Sequence, residues 1–240
     1  LESVAFAPEV IVVDDYSEDR PQEVSSEFKN VKLHTRTFDG FGFQKRYAIS
    51  LAERDWCLNI DADEEVSPGL KTEIIQVLES DTGKNGYHVR RNNLDFGKFM
   101  VDSYPGALRL FRKSRGIFTD SFVHAHVELE GDVGQLHGFL THRPFSTASY
   151  KNYYNIYVVK YGKLAALDYA RRGERVNLLN APWKILIVPF LVFVREFIVK
   201  RKILQGTRGL FLSCCNSLCY HVAYKEFWAT NRSGYPNDRS

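Results

Sequence analysis

The segment Glu9-Val10-Ile11-Val12-Val13-Asp14-Asp15 constrains the fold more than any other stretch of this chain. A short unbroken apolar run is the pattern of a strand buried on both faces, and this one stops in two carboxylates. Val31-Lys32-Leu33-His34 predicts a second short strand. Trp56-Cys57-Leu58-Asn59-Ile60 predicts a third, running straight into Asp61-Ala62-Asp63-Glu64-Glu65. The aromatic, glycine-rich stretch Phe38 to Phe43 predicts a loop. Helical spacing follows at Tyr47, Ala48, Leu51 and Ala52, and again from Leu70 to Leu78 behind the cap-and-first-turn pair Ser67-Pro68. Residues 9–78 therefore predict strand and helix in alternation, an α/β fold with a mostly parallel sheet. In such sheets ligands sit beyond the carboxyl ends of the strands, and both acidic groups fall there.

Residues 86–142 differ in kind. Tyr87 to Arg90 and Leu108 to Phe111 alternate as half-buried strands do. Val123 to Glu130 alternates over its whole length, with His124, His126, Glu128 and Glu130 on one face. From Thr147 the chain predicts helix, with Tyr150, Tyr153, Tyr154, Tyr157 and Tyr161 on one side. The apolar run Ile185 to Val194 contains Pro189 and is broken by Arg195-Glu196 before Lys200-Arg201-Lys202. It is too short for a standard membrane span, which takes about 20 apolar residues. With Trp183, Lys184 and the basic cluster beside it, it predicts a segment lying in a membrane interface.

The charge count supports two regions. Residues 1–142 hold 16 Lys+Arg against 24 Asp+Glu, net −8, and residues 143–240 hold 16 against 5, net +11. The expected division is a catalytic domain over 1–142 and a helical, basic, membrane-associating and acceptor-facing region over 143–240. The same positive charge suits nucleic acid, but no recognised binding module accompanies it, so no nucleic-acid partner is expected. Hydrophobic residues at 44% and charged residues at 25% exclude disordered, collagen-like and disulfide-scaffold classes. The four cysteines form no C-x-x-C pair and predict buried thiols in a reducing compartment.

The chemistry is concentrated in Asp61-Ala62-Asp63. Two carboxylates one residue apart in a turn can jointly hold a hard divalent cation, Mg²⁺ or Mn²⁺, whose sphere is shared with substrate phosphates. The bland alternative is a set of acids at a helix N-terminus complementing its dipole. An aspartyl-nucleophile phosphatase also carries a D-x-D after a strand, but there a small residue and Thr or Val follow, and here Glu64-Glu65 do.

Taken in order, Val12-Val13-Asp14, Ser17-Glu18-Asp19, Gly40-Phe41-Gly42-Phe43-Gln44-Lys45, Asp55-Trp56 and Asp61-Ala62-Asp63-Glu64 resemble the family 2 glycosyltransferases of the GT-A fold. The branch they resemble is the bacterial lipopolysaccharide core glucosyltransferases, whose second half Arg109-Leu110-Phe111-Arg112, Val123-His124 and Leu140-Thr141-His142 also resemble. The resemblance implies metal-dependent, inverting transfer of a hexose, glucose foremost, from a nucleotide diphosphate sugar, a UDP-sugar foremost. The implied acceptor is a saccharide of the lipopolysaccharide core or another lipid-linked glycan. Asp14 would contact base or ribose, and Lys45 the nucleotide or diphosphate. Asp61 would contact ribose or metal, and Asp63 the metal. His124 would complete the metal sphere or touch the diphosphate. The implied location is cytoplasmic, peripheral to the inner face of the cytoplasmic membrane.

Two departures accompany it. Leu1 to Val4 resembles the end of the family's first helix, so the preceding strand with its Thr-x-Asn-Glu tip is expected to be missing. Ala125 stands where that branch carries Glu. If that Glu is the catalytic base, its role passes to Glu128, with Asp102 and Asp120 as further candidates. The competing expectation is a truncated, non-catalytic relative acting as a binding or scaffold protein.

Overall fold

The computed structural model describes residues 1–80, 82–101, 106–123, 125–144, 149–174 and 176–232. The chain divides into two compact units, residues 1–145 and 146–240.

In the first unit the predicted alternation is present. Strands β1 (Val10–Asp14) and β2 (Val31–Thr35) flank helix α1 (Pro21–Ser26), and α2 (Phe41–Leu51) leads to β3 (Trp56–Leu58). A strand β4 (Glu64–Val66) comes next, then α3 (Pro68–Glu79), whose Ser67 cap accepts a hydrogen bond from the Leu70 amide. The strands β5 (Gly86–Asp95), β6 (Lys98–Val101), β7 (Ala107–Arg112), β8 (Gly116–Phe118), β9 (Val127–Leu129) and β10 (Val133–His142) complete the unit.

Sheet pairing is mixed. β1–β2 and β5–β10 are parallel, whereas β3–β7, β5–β7, β4–β10, β5–β6 and β8–β9 are antiparallel. The α/β class stands, but among the described residues parallel pairing is confined to two pairs. β5 and β6 form a hairpin across a short turn, as antiparallel neighbours can, whereas β3–β7, β5–β7 and β4–β10 pair strands distant in sequence. The core lies between the sheet and α3, where Leu70, Ile74, Tyr87, Val89, Leu110, Leu136 and Leu140 are buried together. Close approach is set at Gly138, where a β-carbon would lie 2.4 Å from the Leu70 α-carbon.

Three local expectations change. α2 begins at Phe41, inside the stretch read as a loop, because Phe41 and Gly42 donate their free N-terminal amides to Phe122 and Ser121 carbonyls. β4 was not predicted, since two of its three residues are Glu and only its pairing with the end of β10 makes it a strand. The eight-residue alternation from Val123 is paired only over Val127–Leu129, because the chain before it turns to dock on α2.

The second unit is helical: α4 (Tyr150–Tyr153) continues through a π-bonded stretch into α5 (Tyr161–Arg171), and α7 (Gly206–Arg232) packs along it. Tyr169 and Tyr224 stack at 4.7 Å beside buried Ala166 and Phe227. A further helical stretch, residues 183–199, contains α6 (Val188–Val194) between two π-bonded turns. Pro189 brings no N–H to the Ile185 carbonyl, and His221 of α7 donates its Nδ1–H there instead at 2.9 Å. Cys214, Cys215 and Cys219 are free thiols on α7, Cys215 buried and its neighbours half-buried. Among the described residues no helix is long and apolar enough to cross a membrane.

Candidate active site

The carboxyl end of β3 opens into the turn Asp61-Ala62-Asp63, and β4 returns from it. Glu64 folds back, so that its Oε2 accepts the Asp61 amide at 2.9 Å while the Glu64 amide donates to the Asp61 carbonyl at 3.0 Å. The turn is thereby closed on itself. Its far side is fixed by the Arg143 amide, which donates to the Asp63 carbonyl at 2.9 Å.

Cations converge on this turn from three elements. Lys45 of α2 reaches Asp61 Oδ1 at 2.7 Å, with its ammonium 5.7 Å from the centre of the Phe118 ring. Arg109 of β7 bonds Glu64 Oε1 at 2.7 Å and lies 3.6 Å from Asp61 Oδ2. Arg91 of β5 approaches Glu64 Oε1 at 3.6 Å. The Glu64 side chain is fully buried, whereas that of Asp61 is 37% exposed. Burial opposes ionisation of Asp61, yet the charges of Lys45 and Arg109 outweigh it and hold the carboxyl below its ordinary range. At Glu64 burial wins over Arg109, helped by the neighbouring Asp61 charge, and the carboxyl is pushed up.

Asp63 faces the other way. Its Oδ2 lies 3.2 Å from His142 Nε2, and His142 Nδ1 lies 2.7 Å from Asn93 Oδ1. An amide oxygen only accepts, so Nδ1 carries the proton and Nε2 is the nitrogen aimed at Asp63. The β4–β10 pairing sets His142 opposite Glu64, and β10–β5 sets it opposite Asn93. Among the described residues no group of three or more His, Cys, Asp or Glu side chains is placed to hold a metal ion. Asp63 and His142 meet as a hydrogen-bonded pair between β4 and β10.

The sequence-predicted residues divide accordingly. Asp61, Asp63 and Lys45 come together. Asp14 lies at the tip of β1, where its carboxylate accepts the Ser17 amide at 2.9 Å, and neighbouring Asp15 accepts the Phe38 amide. Glu128 stands on the exposed side of β9, opposite Ile117, while Phe118 and Val127 face the other way into a small core. Asp120 lies on the loop docked against α2 and pairs with Arg46, the residue after Lys45. That docking needs Gly42, where a β-carbon would sit 2.2 Å from the Thr119 carbonyl oxygen. His124 and Asp102 lie outside the described residues. Sequence reasoning assigned no role to Arg91 or Asn93, and it reached Arg109 only through the resemblance. A charged residue inside the apolar run Leu108 to Phe111 was the available signal, because a buried arginine requires a buried acid.

An α/β domain with a cation-braced acidic turn at a strand's carboxyl end places its charged groups where ligands bind in such sheets. The chain matches the family described as Glycosyl transferase family 2 over residues 4–125, just over half its length, and belongs to that family. It is a glycosyltransferase of the GT-A type that this family's motifs implied. It is 26% identical over 207 residues to the lipopolysaccharide core biosynthesis glycosyltransferase LpsC of Rhizobium meliloti, covering 82% of this chain and 74% of LpsC. An uncharacterized glycosyltransferase of Rickettsia bellii is 40% identical over 75 residues, covering 31% of this chain and 25% of its own length. Among solved structures, S. aureus TarS 1-349 aligns with a TM-score of 0.47 at 14% identity, covering 98% of this chain and 87% of TarS.

Proposed function

We propose that the chain transfers a hexose, glucose foremost, from a UDP-sugar to a saccharide of the lipopolysaccharide core or a related lipid-linked glycan, with inversion and with Mg²⁺ or Mn²⁺. The observation that carries this reading is the Asp63–His142 pair beside the cation-braced Asp61. Adjacent ligands of an octahedral Mg²⁺ at ~2.1 Å stand about 3 Å apart, close to the 3.2 Å between Asp63 Oδ2 and His142 Nε2. Such an ion is ordinarily held by one or two carboxylates, the remaining positions going to water and substrate phosphate, so Asp63 suits it, and the imidazole beside it favours Mn²⁺ over the harder Mg²⁺. Asn93 fits the same reading, since a ligating histidine is normally oriented through its other ring nitrogen. Bound there, the metal would neutralise the diphosphate and stabilise it as leaving group.

The chain's own groups do the rest. Lys45, at the rim of the turn beside the half-exposed Asp61, would share its charge with the diphosphate, and Arg109 would help keep Asp61 ionised while Glu64 holds the turn. Asp14 takes the base or ribose. In an inverting transfer one carboxylate removes the acceptor hydroxyl proton as that oxygen attacks the anomeric carbon. Of the two described candidates, Asp120 is the better supported, since its loop docks on the helix that carries Lys45, and Glu128 is the alternative. The similarity to LpsC supports the acceptor class. The net charge of +11 in residues 143–240 supports acceptor capture at an anionic surface, the cytoplasmic face of the membrane.

The test is calorimetric titration with a uridine nucleotide sugar with and without Mn²⁺, followed by turnover on a nucleotide-sugar panel. Metal-dependent binding lost in Asp63→Ala is the expected result, and titrations identical to wild type would remove the assignment. Ala125 favours a second reading, a relative that binds donor without turning it over. Donor binding without turnover on the whole panel would select it.

A further inference from the structure

Helix 183–199 buries one face and exposes another that is also apolar. Pro189, Val192 and Glu196 are buried, whereas Trp183, Leu186, Ile187, Phe190, Leu191 and Ile198 are exposed at helical spacing. A helix that is apolar on its outward face has no reason to face water.

The helix then stops in an unusual turn. Lys200 donates its amide to the Arg195 carbonyl and Arg201 to that of Ile198, and Arg201 adopts φ +55°, a conformation normally left to glycine. What holds it is Glu196, 1% exposed, which receives Lys200 at 2.8 Å and Lys202 at 2.7 Å, with Arg195 at 3.1 Å. The two lysines bracket Arg201, so both ends of the turn are tied to one buried carboxylate. Immediately beyond it, Ile203 and Leu204 are presented to solvent, Leu204 at 81%.

We infer that Glu196 is a pin that preforms a membrane-inserting tip, Ile203-Leu204, which enters an anionic lipid bilayer together with the outward stripe of helix 183–199. The inference deepens the proposed membrane-side capture of a lipid-linked acceptor and rests on that reading. The occupant follows from charge. Arg195, Lys200, Arg201 and Lys202 surround one acid, leaving a net positive collar at the root of an apolar tip. Each such cation near an anionic surface is worth about fivefold in binding. Shallow insertion below a cationic rim is how interfacial segments divide their faces.

The experiment is flotation of the full chain with vesicles of phosphatidylcholine alone or with one third phosphatidylglycerol. Donor-sugar hydrolysis is measured in the same samples. The wild type should float with the anionic vesicles only. I203S/L204S alters only exposed side chains, and should lose at least tenfold in vesicle affinity with hydrolysis unchanged. Glu196→Gln makes the decisive comparison. It adds one positive charge, so attraction through charge alone would strengthen binding, whereas loss of the pin weakens it by several-fold. Tighter binding by Glu196→Gln, or wild-type binding by I203S/L204S, overturns the inference. Self-association without lipid that I203S/L204S abolishes also overturns it, by assigning the surface to a second copy. Loss of hydrolysis in the wild type, with flotation intact, strikes the catalytic reading and leaves the tip standing.

Discussion

Two buried glutamates, one in each unit, show how the same residue type comes to serve opposite ends. Glu64 is enclosed with Arg109, itself almost fully buried, and burial together with the Asp61 charge outweighs that partner and pushes the carboxyl up. The Glu196 side chain likewise has almost no exposed surface, but two of its partners, Arg195 and Lys200, are largely exposed and only Lys202 is mostly buried. Burial would raise Glu196, yet hydrogen bonds from Lys200 and Lys202 prevail and bring it down to about 2. In the first cluster acids and cations nearly balance, which suits the diphosphate and metal site proposed there. In the second the cations exceed the acid, and the surplus faces outward. Burial dominates at Glu64, whereas at Glu196 two lysine hydrogen bonds outweigh it, and two of the cations that surround Glu196 also reach water.

The sharpest way to break this comparison is to remove each acid. Glu64→Ala strands Arg109 in the interior, and denaturant unfolding should show a loss of about 3–5 kcal/mol. Glu196→Gln leaves Arg195 and Lys200 able to turn to water, and should cost less, about 2 kcal/mol once the linkage value is discounted for those exposed partners. Equal losses would refute the distinction.

Within the first unit, Asp63→Ala should lower turnover by about 10²–10³-fold in steady-state kinetics, the scale of losing one preorganised electrostatic contact. Asn93→Ala leaves both proposed donors in place and should weaken Mn²⁺ affinity by about 10–100-fold, read by calorimetry. If Asn93→Ala matched Asp63→Ala, the histidine would not be acting through its orientation.

The pH dependence sharpens the second unit. Because the folded-state carboxyl of Glu196 lies at about 2, below the ordinary 4.5, its contribution to stability is fully present above 4.5. It is lost as pH falls from 4.5 toward 2. Thermal unfolding of Glu196→Gln should accordingly be less pH-sensitive than wild type across that window. The smallest effect concerns the thiols. Burial pushes Cys57, Cys215 and Cys219 each up to about 11, so alkylation at pH 8 should be several-fold slower than for an unfolded control.

Much of the site was legible because acids at strand ends are a local pattern. Asp61, Asp63 and Lys45 are separated by at most 18 residues, and each is flagged by its own neighbours. Arg91, Asn93, Arg109 and His142 were not legible as one group. His142 meets Asp63 across 79 positions, through a strand that two glutamates disguise. Glu128 satisfied the alternation rule and still sits on the exposed side of β9, because periodicity assigns residues to faces without saying which face meets the site.

The amino-acid order alone thus determined the α/β class, the acidic turn, the division of charge along the chain and the apolar stretch beside a basic cluster. Each depends on residues near one another in sequence. Tertiary structure decided the rest: the mixed pairing, the strand at Glu64–Val66, the Asp63–His142–Asn93 line and the pinning of Lys200 and Lys202 on Glu196. The physical reason is common to all four. Register between distant strands, and the burial of a particular carboxylate, follow from how whole elements pack, and no local pattern encodes them.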